Sequence, residues 1–265
     1  MPDAPNALAA LTAAGVPNFR TPEACGDVVA AAFARRKPRA TAAVPHATGH
    51  GRLLNELDAY AQLDRVGIAH APCVAADAKS GAPAHAIAYP VAVKILSDTI
   101  AHKTDAGGVV LGVQNEHDLA SAIADIRKNV ERHVPGTTAD RVLVQQMIKG
   151  LGEVLIGYRI DGQVGPIVML AAGGVLTEIY RDRSLRLAPV DLATAQEMIG
   201  EVKVLQALTG YRGKPRGDLD ALAHAIVALS RFAVISDPVV LEAEINPLMV
   251  MQHGIIAVDA LVRLA

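Results

Sequence analysis

Between residues 141 and 190, five strand-length apolar runs follow in quick succession, at 141–148, 153–160, 164–170, 175–180 and 185–190. Parallel neighbours need a crossover of a dozen or more residues, usually a helix, and these gaps are too short to hold one. Around that block helical and extended patterns interleave. Leu53, Leu54, Leu57, Tyr60, Leu63 and Val66 form the i, i+3/i+4, i+7 stripe of an amphipathic helix, which Gly67 ends. Strands are expected at 68–75, 91–96 and 109–113, and a helix at 116–134 with Leu119, Ile123, Ile126 and Val130 on one face. Two further helices, at 193–208 and 219–230, lead to a closing hairpin of 239–250 and 255–261 around Gln252-His253-Gly254. The class is therefore α+β (mixed α/β), not a uniform doubly wound sheet.

The first forty residues read differently. A helix from Asn6, a turn at Ala14-Gly15-Val16-Pro17 and a second helix from Pro22 are expected, the second started by Thr21 as cap and Pro22 in the first turn. Residues 41–51, with Pro45, Gly49 and Gly51 and no periodicity, read as a linker. This divides the chain into a short helical subdomain at 1–40, a linker at 41–51 and a body at 52–265. Forty residues bury too little to stand alone, so the first piece should dock on something.

Composition removes several function classes. Hydrophobic residues make up 51% and charged residues 20%, which excludes wholesale disorder. Twenty-five Lys+Arg against 27 Asp+Glu leave no electrostatic case for nucleic acid or an anionic membrane. Only 3% aromatics and no Trp make stacking platforms for bases or sugars improbable. No apolar run reaches a membrane span, the opening MPDAPNALAA lacks a signal-peptide layout, and Cys25 and Cys73 have no metal or disulfide spacing. A cytoplasmic location is expected.

Three segments could carry chemistry. Lys94 interrupts the apolar run 91–96, where it either faces solvent from an edge strand or reaches a phosphate from a strand end. After it, His102-Lys103-Thr104-Asp105 is a polar knot closed by Gly107 and Gly108. Its histidine is either solvated or a phosphoryl acceptor on a loop that the glycines let move. Near the C-terminus, Glu242, Glu244 and Asn246 share one face of a strand, and the hairpin could bring Asp259 beside them. That face is either an exposed edge or a set of hard oxygen ligands suited to Mg²⁺. Gly173 and Gly174 after a strand serve equally as a tight bend or an anion approach. Glu178, Arg181, Asp182, Arg183 and Arg186 read mostly as solvated surface, as do His46, His50, His70, His85 and His117. There is no GxxxxGK[ST] and no dinucleotide fingerprint, so any nucleotide is held another way.

Residues 89–113, 153–189 and 242–259 together resemble the ATP-grasp domain of NDP-forming acyl-CoA synthetases, which is related to the nucleotide-binding subunit of succinyl-CoA synthetase. The combination of Lys94, the HKTDAGGV run and EINPL carries the resemblance, which covers about residues 52–265. It implies an ATP-grasp fold of two α/β lobes, with ATP or ADP and Mg²⁺ as cofactors. His102 would be a phosphohistidine on a swinging loop, exchanging its phosphoryl group with ADP and with a first histidine on a partner. Lys94 would contact nucleotide phosphates. Gln145, Gln146 and Met147, in the stretch joining the lobes, would face the adenine, and Glu153 would lie near the nucleotide. Gly173, Gly174 and Glu178 would line the phosphate side, and Glu244, Asn246 and Asp259 would hold Mg²⁺. The first forty residues resemble the last helices of the CoA-ligase region that precedes this domain in fused members. The partner implied is the CoA-binding, CoA-ligase part, which would also supply the carboxylate site. The CoA-binding domain is not recognised here, no candidate for the first phosphohistidine appears in the first forty residues, and Ser97-Asp98-Thr99-Ile100 replaces the family's more usual Ser-Pro-Asp-Ile. Alternatives are an ATP-grasp ligase joining a carboxylate to an amine through an acyl-phosphate, and a nucleotide-sensing module without turnover.

Overall fold

The computed structural model describes residues 4–19, 21–35, 51–79, 86–174 and 182–265. The chain separates into two units, residues 1–41 and 42–265. The first holds α1 (Pro5–Ala13) and α2 (Pro22–Phe33). The Thr21 hydroxyl accepts from the Ala24 amide at 3.2 Å, the cap that the Thr-Pro-Glu start predicts. Neither helix buries a residue. Apart from Gly51, the expected linker lies outside the described residues.

The second unit is built on two antiparallel sheets. Its elements are β1 (Arg52–Leu53), α3 (Glu56–Val66), β2 (Cys73–Asp77), β3 (Val91–Ile95), β4 (Val109–Val113), α4 (Glu116–His133) and β5 (Arg141–Gln146). There follow β6 (Gly152–Asp161), β7 (Gly165–Ala172), β8 (Arg183–Leu187), α5 (Leu192–Glu201), α6 (Leu219–Ser230), β9 (Val240–Val250), β10 (Ile255–Ala257) and β11 (Ala260–Leu264). The smaller sheet runs β2-β5-β3-β4, and the larger runs β1-β11-β9-β6-β7-β8 with β10 on β9. One core joins Leu119, Ile123, Ile126 and Val130 of α4 to Val91, Val93, Val142 and Val144 of the small sheet. The other packs α3, α5 and α6 against the large sheet around Leu63, Met198, Ile226, Ile156 and Val262. Among the described residues no helix is long and apolar enough to cross a membrane.

Three boundaries differ from the periodic reading. Asn55 caps α3 by accepting from the Asp58 amide at 3.1 Å, so the helix starts at Glu56 and Leu53 pairs with Arg263 in the large sheet instead. The run 68–75 is divided between sheets. His70 bridges to Ala257 and the Ala71 amide reaches the Ala257 carbonyl, whereas β2 begins only at Cys73 and pairs with β5. The stretch 193–208 breaks at Val202, which is extended and buried, into α5 and a 3₁₀ segment at Lys203–Thr209. The strand expected at 175–180 lies outside the described residues.

Candidate functional site

Two adjoining cavities lie where the small sheet faces β9. One, of about 270 Å³, has apolar walls from Ala92, Val109, Leu111, Met147 and Met249 and polar positions at Lys94, Glu153, Asn246 and Asp259. Gln145 and Gln146, where β5 leaves the small sheet for the connection to β6, also line it. The other, of about 320 Å³, has His102, Lys103, Thr104 and Asp105 of the β3–β4 loop on one side and Glu242, Glu244 and Arg263 on the other. Thr104, Asn246 and Asp259 border both cavities, so the two are continuous in lining.

Alternation along β9 explains one wall. Ala243 and Ile245 turn into the core, which sends Glu242, Glu244 and Asn246 to the cavity side. The Asn246 amide donates to the Asp259 carbonyl at 3.3 Å, and its side-chain Nδ2 donates to Glu244 Oε1 at 3.4 Å. Burial raises the Glu244 carboxyl, partly offset by the Asn246 hydrogen bond and by His102. Burial likewise raises Asp259, against the pull of Lys94 and Lys103. No Lys or Arg ion-pairs with Glu244 among the described residues. Two half-buried carboxylates and an amide oxygen, one carboxylate without a cation, form a donor set that fits Mg²⁺, which takes its remaining oxygens from water or phosphate. No group of three His, Cys, Asp or Glu with metal-holding geometry occurs among the described residues, since the third donor here is an amide.

The lysine is placed away from solvent, at the wall of the cavity. It lies in β3, between β5 and β4, with its side chain 6% exposed, so the solvent-facing edge is excluded. Its Nζ donates to Glu56 Oε1 at 2.7 Å and to the Val258 carbonyl. Glu56 is the residue that periodicity overlooks. Its side chain is 1% exposed, and Tyr60 donates to the same oxygen at 2.7 Å. Gln145 Nε2 in turn donates to the Tyr60 hydroxyl at 2.7 Å, so that side chain is engaged in the network. Lys103 Nζ stands 3.0 Å from Glu56 Oε2 and 2.8 Å from Asp259 Oδ1. Burial alone would raise the Glu56 carboxyl, but the two lysines and the hydrogen bonds outweigh it and hold it below the usual range. Glu56, Tyr60 and Leu63 are spaced i, i+4, i+7, so a carboxylate on the buried stripe of α3 was the available signal.

The glycines act through close approach. A Cβ on Gly107, at φ +64°, would meet Asn129 Cβ at 2.8 Å, and one on Gly108 would meet Ile95 Cγ2 at 2.6 Å. The pair therefore packs the end of the loop closely against α4 and β3. A Cβ on Gly173 would lie 2.5 Å from the Glu153 carbonyl carbon, and the Gly173 amide donates to the Glu153 carbonyl at 2.8 Å. Gly174 follows at φ +85°. Glu153 itself is exposed at the start of β6. Glu178 lies outside the described residues. His70, expected at the surface, stacks on Tyr60 with ring centroids 4.3 Å apart and planes 7° apart.

A sequence model described as the ATP-grasp domain matches residues 46–264. The acetate–CoA ligase (ADP-forming) I of Archaeoglobus fulgidus is 40% identical over 176 residues, 66% of this chain and 25% of that protein. The subunit beta of the acetate–CoA ligase (ADP-forming) I of Pyrococcus furiosus is 38% identical over 174 residues, 66% of this chain and 75% of the subunit. The chain thus spans a quarter of the first relative and three quarters of the second. Among solved structures, a dinucleotide-forming acetyl-coenzyme A synthetase 1 of Ca. Korarchaeum cryptofilum, in complex with coenzyme A and Ca-AMPCP, superposes with a TM-score of 0.74 at 33% identity, covering 81% of this chain and 94% of that one. The same synthetase with coenzyme A and Mg-AMPPCP, its phosphohistidine segment pointing towards the nucleotide-binding site, superposes with a TM-score of 0.65 at 31% identity, covering 79% and 92%.

Proposed function

The chain belongs to the ATP-grasp family, and on that premise we propose that it is the nucleotide-binding part of an ADP-forming acyl-CoA synthetase, passing a phosphoryl group between ATP and His102. One observation carries the reading: His102 borders the same cavity as Glu244, Asn246 and Asp259, and that cavity adjoins the one bounded by Lys94, Gln146, Met147 and Glu153. The apolar walls of the second cavity suit a purine, with Gln146 and Met147 at its edge and Lys94 and Glu153 towards the phosphates. Gly173 and Gly174, which lie against Glu153, would close the phosphate side. Mg²⁺, held by Glu244, Asn246 and Asp259, would supply charge neutralisation at the phosphate oxygens.

In the forward half-reaction an unprotonated ring nitrogen of His102 attacks the γ-phosphorus. A P–N bond forms as the bond from that phosphorus to the β–γ bridging oxygen breaks, and ADP leaves with the electron pair. The protein contributes positioning and charge more than covalent assistance. The phosphoryl group then passes to a partner carrying a first phosphohistidine and the CoA and carboxylate sites, as a separate subunit or as preceding domains of a fused chain. The helices of residues 4–35 would be the end of that CoA-ligase region. We place the reaction in the cytoplasm, where ATP and reduced thiols such as Cys25 and Cys73 coexist.

Incubating the chain with Mg²⁺ and γ-labelled ATP tests the assignment. The expected product is an acid-labile, base-stable protein label that His102→Ala abolishes. Label that survives this substitution, or wild-type protein that takes none, contradicts it.

A further inference from the structure

Besides Ala106 and the packing of Gly107 and Gly108, the loop that carries His102 has one charged anchor that reaches inward. Backbone bonds tie residues 102–108 into a unit: Ala106 donates to the His102 carbonyl at 3.4 Å, Gly107 to Thr104 at 2.9 Å and Gly108 to Lys103 at 2.8 Å. From that unit one long side chain, Lys103, reaches inward and is 10% exposed. It ends between Glu56 of α3 and Asp259 of the β10–β11 turn, the latter 156 residues further along the chain. His102 and Thr104, on either side of it, are exposed.

The two halves of the Glu56 carboxylate are unequal. Oε1 accepts from Lys94 and Tyr60, both at 2.7 Å. Oε2 is fully buried and accepts no hydrogen bond; Lys103 stands beside it at ion-pair distance without hydrogen-bond geometry. A buried carboxylate oxygen satisfied by charge alone is a costly arrangement, because desolvation is paid without directional recovery. Oε1 therefore keeps two hydrogen-bonded partners when Lys103 is absent, whereas Oε2 keeps none.

We propose that Glu56 is a positioning residue, whose Oε2 latches Lys103 and so holds the His102 loop at the nucleotide cavity. This rests on the phosphohistidine reading only for the use of the loop, not for the latch. One carboxylate serves both parts of the site: it fixes Lys94 at the wall of one cavity and Lys103 at the wall of the other. Departure of the loop must break the Lys103 contacts first, whereas the Glu56–Lys94–Tyr60 contacts can stay.

Amide hydrogen exchange on the full chain tests this without turnover. Lys103→Met keeps the length and apolar stem, and leaves the Lys94 half intact. It is expected to speed exchange at Ala106, Gly107 and Gly108 by about tenfold or more, with α4 unchanged. Glu56→Gln should do the same, and the double variant should be no faster than the faster single, because the Glu56–Lys103 contact is the one that both substitutions remove. Lys79→Met, which breaks an exposed pair with Asp140 just beyond the ends of β2 and β5, is the control and leaves the loop as it was. Should Glu56→Gln fail to fold, Lys103→Met alone decides. A loop that speeds up less than threefold in folded Lys103→Met, or single effects that multiply in the double variant, overturns the latch. A loop that loosens in a chain that never labels His102 removes the function and keeps the latch; a labelled His102 on an unresponsive loop does the reverse.

Discussion

A glutamate with 1% of its side chain exposed stays ionised only because of what surrounds it, and at Glu56 that is two lysines and a tyrosine hydroxyl. Removing one member of such a group leaves the others buried and uncompensated. Glu56→Gln is expected to cost about 3–5 kcal/mol at neutral pH, measured by urea unfolding. The sign of its pH dependence follows from the lowered carboxyl. Its contribution is present in full above the ordinary glutamate value of 4.5 and drains away as pH falls below it, towards the folded-state value. The stability gap between wild type and Glu56→Gln should therefore be wide at about pH 7 and narrower at about pH 3.5; a gap that widens on acidification contradicts the ionised state. Glu244 shows the opposite case, a carboxyl that burial raises and no described lysine or arginine pairs. Without metal, Glu244→Gln is expected to stabilise the chain, by no more than about 1 kcal/mol since water still reaches part of the group. Thermal melts with Mg²⁺ and a non-hydrolysable ATP analogue should then show wild type gaining stability and the variant gaining less. A variant that gains as much as wild type would separate Glu244 from the metal.

Elements were legible in the sequence where a local rule sets both ends. Strand β4 falls on the expected 109–113, and α4 runs from Glu116 to His133 because Asn115 caps it, accepting from the Asp118 amide at 3.0 Å. They were misread where the ends are decided at a distance. Residues 68–71 lie against Ala257 and not in β2, a pairing that no alternation within 68–75 reports. Helix α5 ends at Glu201, just past Gly200, although the apolar period runs on through the extended, buried Val202. The junction of β6 and β7 offers a test at this scale. A methyl group on Gly173 would press on the Glu153 backbone, which cannot yield as a flexible side chain can. Gly173→Ala is expected to destabilise the chain by about 1–3 kcal/mol and to weaken binding of an ATP analogue, read by urea unfolding and calorimetry. Unchanged affinity in a destabilised variant would detach the glycines from the nucleotide site.

At the scale of the whole molecule, the sequence displayed the pieces of the site but not their joinery. Lys94, His102, Glu244, Asn246 and Asp259 stood out because charged or amide groups are unusual among apolar strands and beside paired glycines, and the structure brings all five to adjoining cavities. The contacts that set them cross long sequence separations, 38 residues from Glu56 to Lys94 and 156 from Lys103 to Asp259, which neither periodicity nor spacing encodes. The same scale separates the half-reaction proposed for this chain from what a partner would supply. On the proposed reading its cavities would take a nucleotide, a divalent cation and a histidine, so the phosphoryl half-reaction should run without CoA or a carboxylate. Isotope exchange measures that directly: the full chain is mixed with ATP, Mg²⁺ and labelled ADP, and label is followed into ATP. Wild-type protein is expected to catalyse the exchange and His102→Ala to lose it. Absence of exchange in the wild type, or exchange that persists without the His102 imidazole, contradicts the account.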